Sequence, residues 1–164
     1  MRILGIDPGL ADIGWGVVDF QSQRFQPVSY GVVRTKPSED LQTRIMEVVS
    51  AISGIAGQYK VDCAAMEEIF FTGHSKTSAM NVSKVIGAVL CELGRMGVPC
   101  RLFSPVQIKS SITGYGQAEK KQVQEMAKII LGLKEIPRPD HAADALSAAI
   151  CLGHFGATEA RIGG

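Results

Sequence analysis

A mixed α/β sheet of about five strands with helices on both faces is the fold this sequence predicts, on three observations. The first third reads as strands joined by short turns, a later apolar run stands between two stretches of helical periodicity, and a second short strand is followed only by helices. With 164 residues, 46% hydrophobic and 20% charged, the chain can bury one sizeable core. A single domain over 1–156 is expected, with 157–164 as a flexible tail.

The opening strands are read as Arg2 to Asp7, Gly14 to Phe20 and Phe25 to Thr35, joined by a Pro8-Gly9 turn and a polar hairpin from Gln21 to Arg24. Ser38, followed by Glu39 and Asp40, looks like a helix N-cap. Leu41, Ile45, Val48, Val49 and Ile52 then recur at helical spacing, with the helix ending near Gly57. Val61 to Ile69 reads as a buried strand that meets polar chemistry at its carboxyl end. It should lie parallel to the first strand. Val82, Val85, Ile86, Val89, Leu90 and Leu93 mark a helix buried on more than one side. After the short strand Pro99 to Phe103 come a Ser104-Pro105 helix start, a Gly114-Tyr115-Gly116 loop, a helix from about Glu119 to Leu131 and a last one from about Asp140 to Leu152.

Several function classes drop out. No run is long enough to span a bilayer and the chain enters a strand without a leader pattern, so a cytoplasmic location is expected. Cys63, Cys91, Cys100 and Cys151 lack the paired spacing of a zinc site and the density of a disulfide scaffold, and read as small core residues. The net charge of +1 says little about partners, but its distribution is uneven. Residues 71–138 hold ten Lys or Arg against four acids, giving +6, and the remainder holds seven against twelve, giving −5.

Candidate chemistry starts at Asp7, an acid that closes an apolar strand just before Pro8-Gly9. The competing reading is a turn-capping aspartate. Glu67 and Glu68 end the Val61 to Ile69 run, and strand alternation sends them to opposite faces, so only one can face Asp7. A buried carboxylate needs a partner or a metal, because an unpaired interior charge costs several kcal/mol. In Pro139-Asp140-His141-Ala142-Ala143-Asp144, His141 and Asp144 share a helix face, and the alanines let that helix lie close to the sheet. Asp140 is better placed as the N-cap. Acids converging without cysteine describe a hard-cation site for Mg²⁺ or Mn²⁺. Two such ions roughly 4 Å apart suit phosphodiester hydrolysis.

Four segments in order, Gly5-Ile6-Asp7-Pro8-Gly9, Ala65-Met66-Glu67-Glu68-Ile69-Phe70, Gly114 to Lys120 and His141-Ala142-Ala143-Asp144-Ala145, resemble the RuvC family of bacterial Holliday junction resolvases. The resemblance covers nearly the whole chain. It implies an RNase H-like fold and a homodimer that makes paired symmetrical nicks in four-way junction DNA with Mg²⁺ or Mn²⁺, one or two ions per active site. It also implies work in recombination and repair, with the RuvA-RuvB branch-migration complex as a partner. Carried over, Asp7, Glu67, His141 and Asp144 form the catalytic and metal-binding set. Many members carry Asp at position 141, and whether the imidazole here is ligand or general base stays open. Lys120 matches a lysine placed to stabilise the scissile phosphate, Lys109 a second basic position near the junction, and Phe70 an aromatic that stacks on unpaired bases. The helix holding Asn81 to Gly87 departs from the family wording, yet its apolar length suits a two-fold seam. Among rival readings, a nuclease of the same fold that processes ribosomal RNA precursors would share Asp7 but not the Lys109 to Lys120 segment. Half of an actin-like ATP-binding fold and a non-cleaving junction-binding module are the other two.

Overall fold

The computed structural model describes residues 1–69 and 76–162. Its elements run β1 (Arg2–Asp7), β2 (Asp12–Gln21), β3 (Arg24–Arg34), α1 (Leu41–Tyr59), β4 (Cys63–Glu67), α2 (Lys76–Arg95), β5 (Cys100–Phe103), α3 (Pro105–Thr113), α4 (Lys120–Ile130) and α5 (Asp140–Ile162). The five strands form one sheet in the order β3-β2-β1-β4-β5. β1, β2 and β3 pair antiparallel, and β4 runs parallel to both β1 and β5. Strand alternation then divides the core into two layers. Ile3, Val18, Ala65 and Phe103 face one side, where Ile108 and Ile112 of α3, Val123 and Ala127 of α4, and Leu146 and Ile150 of α5 pack on them. On the opposite face, Leu4, Ile6, Val17 and Met66 meet Val48 and Ile52 of α1 and Val85, Val89 and Leu93 of α2. The sheet is therefore mixed and covered by helices on both faces, as the sequence predicts.

α5 sits unusually close to β1 and β2, and glycine makes that possible. A Cβ at Gly5 would collide with the Ala145 carbonyl oxygen, and one at Gly14 with the His141 carbonyl. Because Asp7 pairs with Gly14 across β1 and β2, this contact brings the start of α5 to the end of β1.

Several boundaries differ from the sequence reading. Asp40, not Ser38, caps α1: its Oδ1 accepts from the Thr43 backbone N–H at 3.0 Å. α1 continues to Tyr59 and closes on Lys60 in the left-handed conformation. α3 starts as expected, with Ser104 and Gln107 bonding each other's backbone N–H. Asp140 is the first residue of α5 rather than the cap ahead of it, and the Ala142 N–H bonds the Pro139 carbonyl instead. α5 runs ten residues past Leu152, through Gly153, where a Cβ would strike Phe25. Of the four cysteines, all free, Cys151 is buried and Cys63 and Cys100 half-buried, whereas Cys91 is exposed on the outer face of α2. Among the described residues no helix is long and apolar enough to cross a membrane.

Candidate active site

β1 and β4 end side by side. Their register pairs Ile6 with Met66, so the next residues, Asp7 and Glu67, stand level at the carboxyl ends of the two strands. Alternation puts both on the face covered by α5, since Gly5 lies under Ala145 and Ala65 joins the same core layer. Glu68 points away and is exposed, while its N–H bonds the Phe103 carbonyl at 2.9 Å. The choice between Glu67 and Glu68 thus falls to Glu67.

α5 brings the remaining groups. His141 Nδ1 is 2.7 Å from Asp7 Oδ2, and Asp144 lies one helical turn further on. One ligand atom each from Asp7, His141 and Asp144 falls within 4.8 Å of the other two. Donors about 2.1 Å from one octahedral cation stand roughly 3 to 4 Å apart, so this set needs only a small contraction to hold a magnesium-sized ion. Glu67 lies outside that group of three yet feels its charge. Burial pushes the Glu67 carboxyl up to about 7, with Asp7 and Asp144 adding to the rise and Lys109 and Lys120 opposing it. Burial also raises Asp7, against the pull of the His141 hydrogen bond. When Nδ1–H donates to Asp7, the lone pair of the neutral ring is on Nε2.

Beside these carboxylates is a recess of about 280 Å³ with Glu67, Lys109, Lys120, Asp144 and Ser147 as its polar lining and Pro105, Ile108 and Val123 as its apolar wall. Lys120, in the first turn of α4, places Nζ 2.9 Å from Asp144 Oδ2. Burial lowers its pKa, but the Asp144 hydrogen bond and the surrounding carboxylates outweigh that, so the ammonium form is favoured. Lys109 reaches the recess from α3. Two cations from the basic stretch of the sequence therefore face the acids. Phe70 falls outside the described residues. Sequence reading passed over Ser147, three residues after Asp144 and so on its face, which helical spacing alone could have marked. It also passed over the link from Asp140 to Lys120, which no local pattern records.

A five-stranded mixed sheet with acids at the ends of its central parallel strands, met by a histidine and an acid from the last helix, defines the RNase H-like nuclease class. Comparison with known proteins narrows that class. The family model described as crossover junction endodeoxyribonuclease RuvC matches residues 3–152. Proteins of that name from Treponema denticola and Desulforamulus reducens are 44% and 41% identical, covering 98% and 96% of this chain and 91% and 96% of their own. The solved structure "T. thermophilus RuvC in complex with Holliday junction substrate" superposes with a TM-score of 0.87 at 31% identity, over 96% of each chain. The chain belongs to the RuvC family of crossover junction endodeoxyribonucleases. A yeast mitochondrial resolvase, at TM-score 0.69 and 13% identity, shares the fold.

Proposed function

We propose that this chain, as one nuclease domain over residues 1–156, resolves four-way DNA junctions in recombination and repair by cutting two symmetrically placed phosphodiester bonds. The observation that carries the reading is the convergence of Asp7, His141 and Asp144 within 4.8 Å beside a recess that also holds Glu67 and two lysines. Asp7, Glu67, His141 and Asp144 would hold Mg²⁺, with Mn²⁺ as a substitute, one or two ions per site. A bound cation supplies Lewis acidity toward the attacking water and the leaving oxygen.

The chain's own groups account for the rest. Glu67 gives up its proton near neutrality, so it can take a proton from water or serve as a ligand as pH rises. His141, fixed through Nδ1 by Asp7, presents Nε2 as ligand or proton acceptor. Lys120 and Lys109, which line the recess beside Glu67 and Asp144, would offset charge building on the oxygens of a scissile phosphate. Phe70 stacks on an unpaired base at the crossover. Two sites working symmetrically require a homodimer, and α2 supplies its seam. The enzyme works in the cytoplasm with the RuvA-RuvB complex.

A substrate panel tests the reading: a synthetic four-way junction, the matching linear duplex and a precursor ribosomal RNA, each with Mg²⁺. Paired nicks in the junction alone are expected. Cleavage of the RNA with the junction left intact would overturn the substrate assignment.

A further inference from the structure

Asp140 and Asp144 stand four residues apart on one face of α5, and Lys120 reaches across from α4 to both. Its Nζ is 2.9 Å from Asp144 Oδ2 and 3.7 Å from Asp140 Oδ2. Asp140 is held from its other side as well, since Arg138 Nη1 lies 2.7 Å from Oδ1. The two cations use different oxygens of Asp140, so it can hold both at once. Asp144 is in another position, because it also belongs to the group shared with Asp7 and His141. An ammonium 2.9 Å from a carboxylate oxygen and a divalent ion on the same carboxylate repel each other. Asp140 lies outside that group and offers the ammonium a second seat.

We propose that Asp140 is a positioning residue that takes over Lys120 from Asp144 when the group of Asp7, His141 and Asp144 is filled. Asp144 is then released to the ion while the ammonium stays at the wall of the recess, facing Glu67 and the phosphate. Arg138 prepares that seat by fixing the Asp140 carboxylate. The inference rests on reading Asp7, His141 and Asp144 as cation ligands.

The test is Mn²⁺ binding, measured by calorimetry without DNA, on the full chain and on Asp140→Asn, Lys120→Met and the double variant. Asp140→Asn should weaken Mn²⁺ about fivefold, the fold-change equivalent of one exposed ion pair, and Asp140→Glu should restore it. In the Lys120→Met background the same change should cost less than about twofold, because no ammonium is left to seat. Equal weakening in both backgrounds would mean that Asp140 acts on the ion directly, and would overturn the proposal. So would full-strength binding by Asp140→Asn. A second readout follows the Lys120 ¹⁵Nζ resonance at saturating Mg²⁺, which should reach the same ion-bound position in the native chain and in Asp140→Glu but a different one in Asp140→Asn. An immobile native resonance would also overturn it. Failure of the underlying ligand reading looks different, since Asp144→Asn would then bind Mn²⁺ as tightly as the native chain.

Discussion

Replacing Glu67 with glutamine removes the carboxyl that burial, Asp7 and Asp144 together push up to about 7 from an ordinary 4.5. Each tenfold preference for the protonated form is worth about 1.4 kcal/mol, so ionised Glu67 costs the metal-free folded chain at most about 3 kcal/mol. The sign follows from where each state holds its proton. The folded chain keeps it to about pH 7 and the unfolded chain releases it near 4.5, so this stabilisation is complete in acid and is lost as pH rises through 7. Glutamine never ionises. Glu67→Gln should therefore match the native chain near pH 4 and exceed it by up to about 3 kcal/mol at pH 8, a gain of about 6 to 12 °C in Tm. Urea unfolding in chelator, run at both pH values, reads the difference directly. A pH-independent difference, or a glutamine variant less stable at pH 8, would refute the reasoning. Adding Mg²⁺ should reverse the order at pH 8, because the ion stabilises the native site more than the variant.

The same carboxyl makes metal binding compete with protons, so the Mg²⁺ concentration for half-maximal cleavage should rise as pH falls from 8 to 6, read from rate titrations at fixed pH. Gly14→Ala should cost about 3 kcal/mol and also lower cleavage, because its Cβ collides with the His141 carbonyl and forces the start of α5 away from Asp7. Thermal unfolding and junction cleavage on the one variant check both. Lys120→Met should lower kcat by about 10² while changing junction affinity far less, as single-turnover cleavage and gel-shift titration would show.

Much of this was legible in the sequence, for physical reasons that can be named. Acids that end apolar strands stand out because packing gives them no role there, which is why Asp7 and the Glu67-Glu68 pair are candidates without coordinates. Strand alternation alone leaves Glu67 and Glu68 equal and only the family resemblance picks Glu67; the physical reason is the face on which α5 packs, and that depends on Gly5 and Gly14 admitting the helix. In sequence the cap of α1 falls at Ser38 as readily as at Asp40, because serine and aspartate both cap well, and only the reach of Asp40 Oδ1 to the Thr43 N–H decides between them. The last helix reads as ending near Leu152, yet it runs on through Gly153, where Phe25 packs against the glycine. Cys91 reads as a core residue from its apolar neighbours, although α2 turns that position outward. Separation hid the rest: Lys120 lies twenty-four residues from Asp144 along the chain, and no periodicity connects them.

The central claim is that Asp7 anchors a metal-dependent site for cutting junction DNA. Its most direct test maps nicks on a four-way junction labelled on all four strands, with Mg²⁺, for the native chain and Asp7→Asn. The native chain should give two nicks at symmetry-related positions, and Asp7→Asn should bind the junction with near-native affinity and leave every strand intact. Symmetrical nicking by Asp7→Asn, or native cleavage that persists in chelator, would contradict the account.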